Sequence, residues 1–310
     1  MTETSGRAKR SEHTVGLING WIAYVIWGAV IIYWPHLEPA KPLEILAHRV
    51  LWSLLFVAAI TIYQKKTPQV KAILRDRKKM RLLLVGSVFI GTNWGLFIWA
   101  SMTGHVLDSA LGYYITPLLN VGLGVIFFKE RLRKAQWTAI AIAALAVVYI
   151  TAAIGKPPWV ALALSTTFAT YGYIKKLAQV DAIVGLMIET IVLTPVAISY
   201  LVWLQTKGEN TFLANGIGHT IWMISAGPIT AIPLLCFGVA IMRLPLTTIG
   251  MLQYLGPTIQ FVCGLLVFSE AMSQTRLNGF LITWIALVIL TIDALRHRRN
   301  VSTSFVPDPD

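Results

Sequence analysis

The chain has 310 residues, of which 56% are hydrophobic and only 13% charged, and its mean hydropathy is +0.67. That balance excludes a soluble globular domain. The formal net charge of +12 at pH 7 would suggest nucleic acid in a soluble protein, but in a membrane chain the attraction of juxtamembrane Lys and Arg to anionic inner-leaflet lipid accounts for it, and no nucleic-acid partner is expected.

Ten apolar runs follow one another, near 15–35, 43–63, 81–101, 106–127, 135–154, 158–174, 183–204, 219–241, 246–266 and 277–295. Most are close to the ~20 residues that cross a ~30 Å hydrocarbon core at 1.5 Å rise per residue. The first run follows the basic residues Arg7, Lys9 and Arg10, yet it exceeds the 7–15 residues of a signal-peptide core and lacks a small-residue cleavage pattern, so it reads as helix 1. The second run carries Glu44, His48 and Arg49, and the 64–80 gap after it is the most basic stretch of the chain. The third run contains Asn93, Trp94 and Trp99; the fourth opens at Asp108, which fits an N-terminal cap, and carries Tyr113, Tyr114, Thr116 and Pro117. Glu189 lies in the seventh run, Pro228 and Pro233 in the eighth, and Gln253, Tyr254 and Pro257 in the ninth. Cys236 and Cys263 sit inside apolar runs without ligand spacing and read as small packing residues. From about 300 onward the tail is polar and reads as disordered.

Of the 26 Lys and Arg residues, 21 fall on one side of the alternating gaps, 4 on the other, and Arg49 lies within a run. The positive-inside rule then places both termini in the cytoplasm. The expected architecture is an all-α membrane protein of ten helices, with a cytoplasmic N-terminal tail over 1–14 and a second tail over 298–310. Its expected location is the inner (plasma) membrane.

The two halves resemble each other. A shift of 140 carries residues 91–130 onto 231–270 and pairs Phe97 with Phe237, Ala100 with Ala240, Met102 with Met242, Tyr114 with Tyr254, Pro117 with Pro257, Gly124 with Gly264, Phe128 with Phe268 and Glu130 with Glu270. Biased composition supplies some of these identities; their placement says more, since both prolines fall midway along a helix and both glutamates just past its end. Repeats over 15–154 and 158–297 would hold five helices each. An odd number makes the second copy enter the membrane from the opposite side, and such inverted pairs place a substrate site near the midplane between them.

Several blocks carry a family resemblance: Glu44-Ile-Leu-Ala-His-Arg-Val-Leu-Trp-Ser53, Asn93-Trp-Gly-Leu-Phe-Ile-Trp99, Leu111-Gly-Tyr-Tyr-Ile-Thr-Pro117, Lys129-Glu-Arg-Leu132 and Pro245-Leu-Thr-Thr-Ile-Gly-Met-Leu-Gln-Tyr254. Together they resemble the RarD group of EamA-type transporters in the drug/metabolite transporter superfamily, over nearly all of 15–297. The resemblance implies a ten-helix inner-membrane carrier of two EamA repeats with a central cavity, and a historical label of chloramphenicol sensitivity or resistance. Thr116 stands where the group often has Asn, close to the expected cavity, so no relative's substrate preference transfers; Lys129 stands where Gly usually precedes Glu-Arg, at a cytoplasmic helix end, and reads as adjusting lipid contact.

Charge within the membrane costs ~2.5–3.5 kcal/mol on insertion scales, so Arg49 and Glu189 demand a reason. Arg49, roughly 10 Å below the outer end of helix 2, is either an interfacial anchor or a cavity-facing clamp for an oxyanion. Glu189, at similar depth in helix 7 and toward the cytoplasmic side, is either a proton carrier or half of a fixed ion pair. The expected substrate lining is Arg49, His48, Asn93, Trp94, Tyr113, Tyr114, Thr116, Gln253 and Tyr254, with Trp27, Trp99 and Tyr171 as further aromatics and Pro117 and Pro257 as hinges. Gly86, Gly91, Gly122, Gly124 and Gly264 read as helix-packing positions. The chain has no P-loop, no H-E-x-x-H and no G-x-S-x-G, so the reading contains no catalytic residue, metal or cofactor. A secondary carrier, and by inclination an exporter, of small metabolites or drugs is the leading function. A channel, an accessory subunit or an intramembrane enzyme are the alternatives, and the assembly is expected to be a monomer or homodimer.

Overall fold

The computed structural model describes residues 2–129, 131–155, 158–269 and 272–303. Within them every regular element is helical: α1 (Thr2–Ala29), two 3-10 turns (Val30–Ile32 and Trp34–Leu37), α2 (Pro42–Tyr63), α3 (Thr67–Arg75), α4 (Arg77–Met102), α5 (Val106–Phe128), α6 (Lys134–Ile154), α7 (Trp159–Ala178), α8 (Ala182–Thr206), α9 (Gly216–Arg243), α10 (Leu246–Gln253), α11 (Leu255–Leu266) and α12 (Gln274–Thr303). Eight spans among the described residues are long and apolar enough to cross a membrane, the ninth run being α10 and α11 together. Two of the ten runs fall short of that measure. Helix α7 carries Ser165, Thr166, Thr167, Thr170, Lys175 and Lys176, and α12 contributes the shorter apolar stretch Leu277–Ala286. Both nevertheless pack into the bundle, α7 against α4 and α5 and α12 against α6.

The outer surface is apolar. Ile126, Leu145, Val148, Val196, Ile217 and Leu266 all point outward and are exposed, a pattern that only lipid tolerates on this scale. Short helix α3 lies across one end of the bundle, burying Val70 against Leu83, Val180, Val184 and Ile188 while Lys71, Leu74 and Arg75 stay exposed. Helix α1 reaches back to Thr2, well before its apolar run, and α12 continues through the start of the expected tail to Thr303. Glu130 and Glu270 lie outside the described residues.

The packing follows the 140-residue offset of the sequence. The helix pairs α2 and α8, α5 and α10, and α6 and α12 each begin 140 residues apart. Exchanging the halves maps the contacts onto themselves: α1 with α9 becomes α7 with α4, α5 with α7 becomes α11 with α1, and α2 with α4 becomes α8 with α9. Tyr114 and Tyr254, counterparts in the two halves, meet each other with ring centroids 5.9 Å apart. They mark the axis that relates the repeats.

The repeats are not identical. Pro117 sits inside continuous α5, whereas the corresponding helix of the second half breaks at Tyr254 into α10 and α11, three residues before Pro257. Each proline lacks the N–H that would have bonded the carbonyl four residues earlier. Those carbonyls belong to the equivalent residues Tyr113 and Gln253. Helices α2 and α9 cross closely, and a β-carbon on Gly227 would stand 2.3 Å from the Trp52 carbonyl carbon. Gly91, Gly86 and Gly264 do face neighbouring helices, but Gly122 faces open space and is not a packing position.

Candidate functional site: an aromatic cavity between the repeats

A cavity opens in the middle of the bundle, concave and mostly apolar as small-molecule sites are. Residues of α1, α2, α4, α5, α7, α9, α10 and α11 line it, so both halves build it. Trp27, Trp94, Phe97, Tyr113 and Phe168 form its walls. The rings meet mostly edge to face, with centroids 5.5 Å apart for Trp27 and Phe168 and 5.6 Å for Phe97 and Tyr113; this geometry suits aromatic quadrupoles.

Into this apolar chamber α2 delivers Arg49, 5% exposed. Its Nε donates to Thr230 Oγ1 at 2.6 Å, and its guanidinium carbon stands 4.7 Å from the Trp94 ring centre and 5.1 Å from that of Trp34. Such faces attract a cation but do not neutralise it. Nη1 has no hydrogen-bond partner among the described residues. The cavity lining includes no carboxylate, so Arg49 is its only formal charge.

Amides supply the remaining polarity. Asn93 Nδ2 donates to the Leu164 carbonyl at 2.9 Å and to Thr167 Oγ1 at 3.0 Å, tying α4 to α7. Gln253 Oε1 accepts from Asn120 Nδ2 at 2.8 Å, leaving Nε2 unpartnered, and Gln260 Nε2 donates to the Trp27 carbonyl at 3.2 Å, leaving Oε1 unpartnered. With Arg49 Nη1 and the Tyr24 hydroxyl, four buried polar atoms lacking partners converge on one cavity. Each unmet group costs ~1–3 kcal/mol, a cost that a polar ligand would relieve.

The structure therefore brings together Arg49, Asn93, Trp94, Tyr113, Gln253, Trp27 and Pro257 of the expected set. It does not bring His48, Tyr114, Thr116 or Tyr254 to the cavity. His48 is ~100° around the helix from Arg49 and packs on Phe212, ring centroids 4.5 Å apart. Tyr114 and Tyr254 lie at the repeat axis and turn toward α12, where Trp284 Nε1 donates to the Tyr114 hydroxyl at 2.8 Å. Thr116 spends its hydroxyl on the Gly112 carbonyl at 3.0 Å, within its own helix. Trp99 stacks on His105 near the end of α4, and Pro117 packs against Gly250 instead of lining the space. Asp108 lies in the first turn of α5, whose cap position is held by His105.

Glu189 also lies away from the cavity. Its carboxylate oxygens take Lys175 Nζ at 2.9 and 3.0 Å, and Oε2 accepts from the Tyr171 hydroxyl at 3.0 Å. Lys175, counted from the sequence as part of a charged gap, is 4% exposed. Its side chain reaches in to Glu189 and lies against Gly185 of α8 and Gly238 of α9. This geometry is that of the fixed-pair reading of Glu189. Gln260, Thr230, Tyr24 and Phe168 were missed; Gln260 carried the same signal as Gln253, an amide within an apolar run.

The model of the EamA-like transporter family matches residues 14–152, the first repeat. "Protein RarD" of Streptomyces exfoliatus is 43% identical over 290 residues, covering 94% of this chain and 92% of that one. An "Uncharacterized transporter" of Vibrio cholerae is 41% identical over 91% of this chain and 93% of its own. A solved crystal structure with 15% identity superposes with a TM-score of 0.68 over 90% of this chain and 98% of its own, which concerns the fold alone. The chain belongs to the RarD group of the EamA-like transporter family and is a multi-pass membrane protein.

Proposed function

We propose that this chain is a secondary carrier that exports small amphipathic molecules, each half-repeat (15–154 and 158–297) exchanging conformations around the central cavity. The observation that carries the reading is Arg49: a buried, partner-poor guanidinium in an aromatic chamber that contains no carboxylate. An oxyanion or strongly polar substrate group would complete its hydrogen bonds with forked geometry, and the aromatic walls would take an apolar body. Pro117 and Pro257 act as hinges in this scheme, and the exchange of helix pairs between halves supports it. The 64–80 loop and both termini face the cytoplasm, a placement supported by the distribution of Lys and Arg.

A thermal-shift screen of purified protein against a metabolite library identifies the ligand. Counterflow of that ligand in proteoliposomes then separates a carrier from a channel, because only a single alternating site exchanges labelled for unlabelled substrate. Ligand flux without counterflow removes the carrier reading. For orientation, Ala72→Cys in a background lacking Cys236 and Cys263 is expected to resist an impermeant thiol reagent in intact cells. Strong labelling reverses the topology.

A further inference from the structure

At the end of the bundle opposite the 64–80 loop, a second group of buried polar atoms stands apart from the cavity. Glu44, the third residue of α2, is 0% exposed. Its Oε1 accepts from the Thr211 backbone N–H at 2.7 Å and the Thr211 hydroxyl at 2.9 Å, while Oε2 has no partner. His219 of α9 places Nε2 3.0 Å from the same Thr211 hydroxyl, and its Nδ1 has no partner. Thr211 owns one hydroxyl proton; donating it to Glu44 leaves an oxygen that accepts from His219 Nε2–H. The lone pair of His219 therefore sits on Nδ1. One turn below Glu44 on the same face of α2, His48 has neither ring nitrogen partnered. Four unpartnered atoms of one carboxylate and two imidazoles thus share a small region. Among the described residues no three His, Cys, Asp or Glu side chains are placed to hold a metal.

We propose that this cluster is a proton-binding site, with His219 as the entry group, Thr211 as the relay and Glu44 as the acceptor, and that it takes up the coupling proton of the carrier. An incoming proton bonds to His219 Nδ1. The Nε2 proton moves to Thr211 Oγ1, whose own proton moves to Glu44 Oε1. One proton has been added, His219 is neutral again in its other tautomer, and Glu44 is an uncharged acid. The Thr211 N–H then loses its charged acceptor, and the Thr211 hydroxyl, now turned to His219 Nε2, accepts from Glu44 Oε1–H instead of donating to it; hydrogen bonds to an ionised group are roughly twice as strong as neutral ones. The connection from Lys207 to Asn215 is thereby loosened over the bundle end.

The neighbouring charges are engaged elsewhere. Lys41 and Glu209 pair with each other at the surface, with Lys207 beside them. Tyr200 of α8 faces Glu44, and His36 of the second 3-10 turn stacks on Trp222. Arg49 turns to Thr230 and the cavity. Glu189 is the poorer acceptor, because protonating it would strand Lys175 as a buried, unpaired cation.

The inference rests on the carrier reading for its coupling role, but proton binding is measured without substrate. Infrared difference spectra between acid and neutral pH carry protonated-carboxyl bands of the other acidic residues too, so the readout is the difference between proteins. One band component of the unmutated protein is expected to be missing in Glu44→Gln, which keeps an oxygen acceptor for Thr211, and to be kept in the Lys175→Met/Glu189→Met double variant. The protection factors of the 207–215 amides, in which the intrinsic pH dependence of exchange is divided out, are expected to fall on acidification in the unmutated protein and to stay constant in Glu44→Gln. Identical band intensities in the unmutated protein and Glu44→Gln, or protection that falls equally in both, overturn the site. Should Glu44→Gln fail to fold, the unmutated protein still decides: protection over 207–215 that does not change with pH removes the proposal. Absence of counterflow in the unmutated protein removes the carrier reading while leaving a Glu44-dependent band intact. Counterflow without that band removes the proton site alone.

Discussion

Arg49 and Glu189 are the same position in the two halves, the eighth residue of α2 and the eighth of α8, 140 residues apart, and they carry opposite charges to opposite ends. Glu189 closes a neutral pair with Lys175 and is withdrawn from the cavity. Arg49 has only a threonine hydroxyl and two indole faces, and it stays on the cavity wall. Duplication supplied one place for an ionisable group in each repeat. The partners available on the neighbouring helix decided which became structural and which remained open to a ligand.

Replacing Arg49 by Lys retains the charge and loses the planar fork. A hydrogen bond to a charged group contributes ~1.5–3 kcal/mol, so the ligand found by thermal shift is expected to bind about tenfold more weakly or worse. The unfolding temperature without ligand is expected to change little, since Lys can still reach Thr230. Calorimetric titration of the two proteins decides the matter. Equal affinities make Arg49 an anchor and leave recognition to the aromatic and amide lining.

Breaking the buried pair of Lys175 and Glu189 from one side leaves an uncompensated charge, which costs ~3–5 kcal/mol. Glu189→Gln and Lys175→Met are each expected to lower stability by that order. The double variant Lys175→Met/Glu189→Met is expected to recover much of the loss. Unfolding in detergent measures the cycle; penalties that simply add would mean the two groups are not coupled.

The helices were legible because hydrocarbon thickness fixes their length, and the repeat was legible because its offset survives in the sequence. Arg49 was legible because a charge that deep needs a reason. Direction around a helix was less so. His48 and Arg49 are neighbours in sequence, and only the packing of Phe212 on one side and Trp94 on the other separates their roles. Tyr114 and Tyr254 had the depth of cavity residues, but their position on the repeat axis turns them toward each other and α12. Lys175 looked like a loop lysine because nothing in the sequence reveals that its side chain reaches in to Glu189.

Gly227 is a position where α9 comes close to the backbone of α2, one turn from Thr230 and the cavity. A β-carbon there would meet the Trp52 carbonyl carbon at 2.3 Å and its oxygen at 2.6 Å, both backbone atoms that cannot swing away. Gly227→Ala must push α2 from α9, and that separation also strains the bond between Arg49 on α2 and Thr230 on α9. Overpacking of this kind costs ~1–3 kcal/mol or more. A clear drop in unfolding temperature with weakened ligand binding is expected, whereas Gly122→Ala, which meets open space, is expected to be silent in unfolding temperature. Unchanged stability in Gly227→Ala would mean that the crossing is looser than described.

Asp181 gives the fold a pH dependence outside the membrane-spanning segments. Its Oδ1 accepts from the Ile183 and Val184 N–H groups at 3.1 and 3.3 Å, capping α8, and its Oδ2 takes Lys66 Nζ at 2.7 Å. Partial burial pushes the carboxyl up, but Lys66 and the two backbone donors outweigh it and hold the group below the usual carboxylate range. A depressed folded-state value means that the stabilisation is fully present above the unfolded value of ~3.9 and is lost as pH falls through the lower folded one. With the side chain 41% exposed, solvent screening keeps the ion pair's share under ~1 kcal/mol. Asp181→Asn keeps a good cap and removes the titration. It is expected to be slightly less stable than the unmutated protein at neutral pH, with the gap closing below about pH 4 as the aspartate itself protonates. Unfolding temperatures of both proteins across that range test the sign; a gap that widens toward acid would mean the carboxyl is raised, not lowered, by its surroundings.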